Sequence, residues 1–143
     1  NNAETNGETR GVISEKKLAP PAELRGKRVI LSARQKKHMT DLKKIVKKVT
    51  KQMDDFKFYS AAEDVYHYFW HTFCDNIIEE SKKNLGPEAN AKERQAAQYV
   101  LSEILLTSLK LLHPFIPFIT EEIYQKLPVK GKKKTLMIEE WPT

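Results

Sequence analysis

The chain has 143 residues, enough for one domain with a real hydrophobic core. Hydrophobic residues make up 40% and charged residues 31%, and no apolar run approaches the ~20 residues of a membrane-spanning helix, so a membrane partner is not expected. Cys74 is the only cysteine, which excludes an intrachain disulfide and a four-cysteine zinc site and points to a reducing compartment, cytoplasmic or organellar.

The net charge is +6 with pI near 9.3. Its distribution says more than its total. Residues 27 to 53 hold ten Lys/Arg against Asp41 alone, whereas residues 54 to 129 hold seven Lys/Arg against twelve Asp/Glu. Such asymmetry points to a polyanionic partner on one face.

The amino end, Asn1-Asn2-Ala3-Glu4, has no initiator Met and no signal pattern, and the chain stops at Trp141-Pro142-Thr143; it reads as a piece of something longer. Residues 1–28 are polar, contain Pro20-Pro21 and three glycines, and lack an apolar period, so they are expected to form a flexible arm ahead of a domain over 29–143. Ser32 offers an N-cap for a first helix to about Phe56. On a helical wheel, Met39, Leu42, Ile45, Val46, Val49 and Met53 fall in an arc of roughly 120°. Lys36, Lys37, Lys43, Lys44, Lys47, Lys48 and Lys51 fall in a separate arc of roughly 140°, with no acidic residue expected to pair along it.

A second helix is predicted from a Ser60 cap to Gly86-Pro87, with Ala62, Val65, Tyr66, Phe69, Trp70, Phe73 and Ile77 facing inward. A third follows from about Lys92, apolar over so wide an arc that it should be central. Pro114 ends it, and Pro117 opens a short fourth helix to Leu127. Lys130 to Lys134 form a basic loop, and Leu136-Met137-Ile138 is expected to be a short extended segment. Four amphipathic helices joined this closely predict an all-α, antiparallel four-helix bundle.

Two runs on these helices are distinctive: Phe69-Trp70-His71-Thr72-Phe73-Cys74-Asp75, and Leu111 through His113-Pro114-Phe115-Ile116-Pro117-Phe118 to Glu121-Glu122-Ile123-Tyr124. Their order and separation resemble the anticodon-binding helical domain of class I aminoacyl-tRNA synthetases, from about Val29 to Pro142. The Phe-Cys-Asp element and the His before Pro-Phe-Ile-Pro-Phe are most like the valyl enzymes; leucyl and isoleucyl enzymes share the second run and remain alternatives, as does a freestanding helical module that binds tRNA or a protein. The resemblance implies a helical bundle that receives the anticodon arm of tRNA and works beside a catalytic domain elsewhere in the parent polypeptide. ATP and magnesium belong to that other domain. Both runs are expected to be mainly structural, with Phe115 and Phe118 plugging the end of the bundle.

Within the chain no His-x-Gly-His occurs, and Lys130-Gly131-Lys132-Lys133-Lys134-Thr135 lacks the Met-Ser core of a KMSKS-like motif, so no catalytic residue and no cofactor are assigned. His67, His71 and Cys74 lie within roughly 60° on the second helix, but structural zinc takes four ligands and nothing supplies the remainder. The lysines of the first helix remain as the tRNA-binding candidates, suited to phosphates more than to bases.

Overall fold

The computed structural model describes residues 29–129 and 131–143; the arm expected over 1–28 lies outside the described residues, as does Lys130. Helix α1 spans Ala33–Asp54, and Ser32 forms a full capping box with Gln35. It ends in a Schellman turn: Lys57 N–H bonds the Gln52 carbonyl at 2.8 Å and Phe56 N–H that of Met53 at 3.1 Å. Phe56 therefore takes φ +60°, a conformation glycine usually supplies. The turn leads straight into α2 (Phe58–His67), so the helix starts ahead of Ser60, with Lys57 as an N-cap that makes no side-chain cap bond.

Helix α2 continues without a break through a π-helical stretch, Tyr68–Ile78, into α3 (Glu79–Leu85). Here the expected inward stripe is corrected. Ala61, Val65 and Tyr68 are buried in the first half, then Phe73 and Ile77 in the second. The step from Tyr68 to Phe73 is five residues, one more than an α-turn, and the wider π turn absorbs the extra residue. As a result Tyr66 and Trp70 turn outward, 58% and 51% exposed.

Helix α4 (Ala91–Leu112) begins in a second capping box, Asn90 with Glu93. The Arg94 guanidinium donates to the Gly86 and Ala89 carbonyls at 3.0 and 3.3 Å and so staples the preceding turn. As expected, α4 is the central helix: no residue from Arg94 to His113 is exposed. Its lower half packs Val100 and Ile104 with Leu42, Tyr68, Phe73 and Ile77. Its upper half packs Leu111 and Leu112 with Val46, Val49, Ala61 and Val65.

Helix α5 (Pro117–Lys126) has proline at its first turn. The buried Thr120 hydroxyl donates to the Ile116 carbonyl at 2.9 Å and sits 2.8 Å from His113 Nδ1, which fixes the bend between α4 and α5. Phe115 packs against the upper cluster, but Phe118 does not plug the bundle; it is 89% exposed, because the buried face of α5 is the one carrying Thr120 and Tyr124.

Contacts along the chain make the neighbours antiparallel. Arg34 and His38 at the start of α1 meet Glu80 at the end of the second rod, while Lys48 and Gln52 meet Asp64 near its beginning. Leu109 of α4 packs on Tyr124 of α5.

The tail departs from the expected extended segment: Leu136–Ile138 form a single 3₁₀ turn between extended residues Thr135 and Glu139. The turn lets Leu136 bury against Leu109 and Tyr124. Its amide donates to Glu121 at 2.8 Å. Glu139 lies 3.2 Å from Lys110 and accepts from the Tyr124 hydroxyl at 2.6 Å and the Lys133 amide at 3.0 Å. Trp141 then packs on the upper cluster and donates through Nε1 to Thr50 at 2.8 Å. Lys132 is structural as well, donating to the Tyr124, Gln125 and Leu127 carbonyls at the end of α5.

Two outcomes check this architecture. Deleting His71 shortens the step from Tyr68 to Phe73 to an α-helical four, so both buried halves stay in phase; the melting temperature should move by less than about 5 °C, whereas deleting Glu103 in α4 puts Val100 and Ile104 out of phase and should unfold the chain. Circular dichroism melts of the two deletions decide it, and equal damage would refute the phase argument.

The second outcome concerns Glu139. Burial alone would raise its pKa, but the bonds from Tyr124, the Lys133 amide and Lys110 outweigh burial and lower it to about 2. A depressed carboxylate stabilises the fold above its unfolded pKa of about 4.3 and loses that contribution as pH falls towards the folded value. Glu139→Gln should therefore destabilise by on the order of 2–3 kcal/mol at pH 7, and the gap to the parent should close by about pH 2. Urea unfolding at both pH values measures it; a gap of unchanged size would contradict the assignment.

Candidate nucleic-acid interface

All seven candidate lysines are exposed on α1, on the side opposite buried Leu42, Val46 and Val49. The expectation that no acid pairs along them is corrected. Asp41 lies 3.2 Å from both Lys37 and Lys44. Lys48 lies 2.9 Å from the Asp64 carboxylate, and Lys51 lies 3.0 Å from Asp55. Lysine hydrogen bonds hold the pKa of Asp41 and Asp64 below the usual carboxylate range, against the opposing effect of burial.

Lys36, Lys43 and Lys47 have no acidic partner among the described residues. The division is spatial. On the wheel the three unpaired lysines fall within roughly 40° of one another, along the edge that carries Thr50 and its bond to Trp141. The four paired lysines occupy a neighbouring arc of roughly 60°, turned towards α2, where Lys48 and Gln52 both reach Asp64. The unpaired row presents Lys43 and Lys47 about 6 Å apart along the axis and Lys36 about 10 Å further back.

Asp41 was legible as a partner, being four residues from Lys37 and three from Lys44. Asp64 was not, because only the hairpin of α1 and α2 brings it to Lys48. A third cluster missed in the sequence lies at the start of α1, where Arg34 forms a two-pronged ion pair with Glu80, and His38 Nε2 sits 3.1 Å from the same carboxylate. This cluster borders an open cleft of about 220 Å³ lined by Ser32, Gln35, Lys83 and Asn84.

The histidines and cysteine of the second rod do not converge. His67 and His71 have ring centroids 4.8 Å apart, His71 Nδ1 lies 3.3 Å from Asp75, and burial followed by Asp75 raises the Cys74 thiol pKa. Among the described residues no group of three metal-capable side chains forms. No helix among them is long and apolar enough to cross a membrane.

The described residues form a helical bundle with one exposed basic helix flank. The family profile described as the anticodon-binding domain of tRNA ligase matches residues 35–143, and the chain belongs to that family. Among curated relatives, the valine–tRNA ligase of Thermotoga maritima is 46% identical over 104 residues, and that of Pseudothermotoga lettingae 40% identical over 104 residues. The ligase of Bdellovibrio bacteriovorus is 40% identical over the same length. In each case the match covers 73% of this chain and 11% of the relative, so the chain corresponds to a small part of those proteins.

The lysine pairing gives a direct test. Asp41→Asn frees Lys37 and Lys44 while removing only exposed ion pairs, each worth about 0.2–1 kcal/mol, so the fold should persist. Affinity for heparin or tRNA at low salt should rise by about two- to five-fold. Heparin chromatography and filter binding read it; unchanged retention would mean that Asp41 does not restrain these lysines.

Proposed function

We propose that this chain is the anticodon-arm-binding domain of a valine–tRNA ligase, and that it holds tRNA through the unpaired lysine row of α1. The observation that carries the proposal is the family match over residues 35–143 together with an exposed basic row that no acid among the described residues satisfies. The role assigned is recognition: the domain grips the anticodon arm while ATP, magnesium and valine are handled on a catalytic domain elsewhere in the same polypeptide. The seven lysines are not equivalent in this reading. Lys36, Lys43 and Lys47 meet phosphates directly, and Lys37, Lys44, Lys48 and Lys51 must first leave their aspartates. The place of action is the compartment of translation, cytoplasmic or organellar.

Lysine–phosphate contacts position the RNA and carry no base information, so the chain alone should bind tRNA with poor discrimination among anticodons. Each contact releases counterion, and log K should fall by about 0.7 to 0.9 per contact for each unit of log salt, giving a slope near 2 to 3 for the unpaired row. Reversing Lys36, Lys43 and Lys47 to glutamate should cut tRNA affinity by about thirty-fold or more at 50 mM salt and leave the helix content intact. The same reversal of the paired four should cost less. Filter binding across a salt series is the measurement. A triple variant that stays helical and binds as tightly as the parent would reduce the row to a solvated face and remove this reading.

A further inference from the structure

We propose that the outward face of α2 and its π-helical continuation, carrying Tyr59, Tyr66 and Trp70, is a protein-docking surface whose occupant is another part of the same ligase polypeptide. The inference rests on the reading that the chain is one domain of such a ligase.

The three aromatics fall within roughly 40° on the wheel, opposite the buried Ala61, Val65 and Tyr68. They are 80%, 58% and 51% exposed, respectively. A large aromatic buries about 150–250 Å² when covered, so three in one row form an apolar band well beyond scattered surface residues. The fold of the chain does not require them to face outward. An α-helix in phase with Phe73 and Ile77 would have drawn Tyr66 and Trp70 inward, and the five-residue step of the π stretch is what turns them out. π-helical turns inserted in α-helices are frequent at functional sites.

Charge selects the occupant. Glu63 sits on the same line between Tyr59 and Tyr66, and Asp75, 58% exposed along its side chain, lies just beyond Trp70. Acids set into the band repel a phosphate backbone, and the unpaired lysine row points away on another face of α1. Base stacking is therefore disfavoured here. A second copy docked about a two-fold axis would bring the same acids against their own equivalents. An apolar protein surface with a basic rim fits both features. The curated relatives are long enough to supply one, since the matched stretch is 11% of their length.

Hydroxyl-radical footprinting read by mass spectrometry tests the proposal on the 143-residue chain and on the full polypeptide its gene encodes. Without RNA, the oxidation rates of Tyr66 and Trp70 should be at least five-fold lower in the full polypeptide than in the chain. Equal rates would overturn it. So would protection that appears only when tRNA is added, or protection in the chain alone that grows with its concentration. Tyr66→Ser with Trp70→Ser in the full polypeptide should restore the reactivity of Tyr59 while circular dichroism of the equivalent chain stays unchanged. Charging of valine tRNA is assayed in parallel. A full polypeptide that shows the protection but does not charge removes the ligase reading and keeps the docking face; one that charges without protection removes the docking face alone.

Discussion

Burial of α4 on every side is the constraint that organises this domain. A helix with no exposed residue from Arg94 to His113 needs cover from α1, from the long second rod, from α5 and from the tail at once. It also carries a lysine into that environment. Lys110 retains 19% side-chain exposure, and leaving such a charge unpaired would cost several kcal/mol. Glu139 answers it from the tail, and the same carboxylate collects the Tyr124 hydroxyl and the Lys133 amide. The tail is thereby fixed closely enough for Trp141 to close on Thr50 of α1. The C-terminal strap is thus a consequence of how deeply the central helix is buried.

The same logic separates structural from available charge on α1. Lys48, on the flank nearest α2, finds Asp64, a product of the hairpin, while Asp55 at the helix C-cap pairs with Lys51 and Asp41 holds two more lysines within the helix. Among the described residues, the α1 lysines without acidic partners lie on the flank beside the tail. What a composition count reports as one uniform basic helix is, in three dimensions, two rows with different freedom to meet a polyanion.

Much of the fold was legible because it follows from local rules. Ser32 announced the start of α1, and Pro117 opened α5. The six apolar residues of α1 lie on the side facing the bundle. Two misses share a cause: backbone departures that no side-chain pattern announces. The phase slip in the second rod displaced the inward stripe, since Tyr66 and Trp70 fit an α-period that the chain does not keep. The Schellman turn at Phe56 lacks the glycine that would have signalled it. Part of the family likeness was carried by residues that build the core and the α4–α5 bend: Phe73 is buried, and His113 braces Thr120. Trp70 and Phe118, from the same two runs, are exposed instead, so membership of a family run does not by itself tell a packing residue from a surface one. For the lysines, type and face were readable; freedom from acids was not, because Asp64 is sixteen residues away along the chain.

The segregation of charge has one more consequence, acting before any contact is made. With ten basic side chains gathered in residues 27 to 53 and an acidic excess spread over residues 54 to 129, the domain is an electric dipole as well as a cation. In the field of a polyanion such a body feels a torque, and it rotates during diffusion so that the α1 side leads. Encounters with a polyanion then fall on the α1 side more often than random orientation would give. That advantage fades as added salt shortens the Debye length to about 8 Å at physiological ionic strength, less than the length of α1 itself. At low salt the whole helix guides the approach; in the cell, orientation is settled within the last few ångströms.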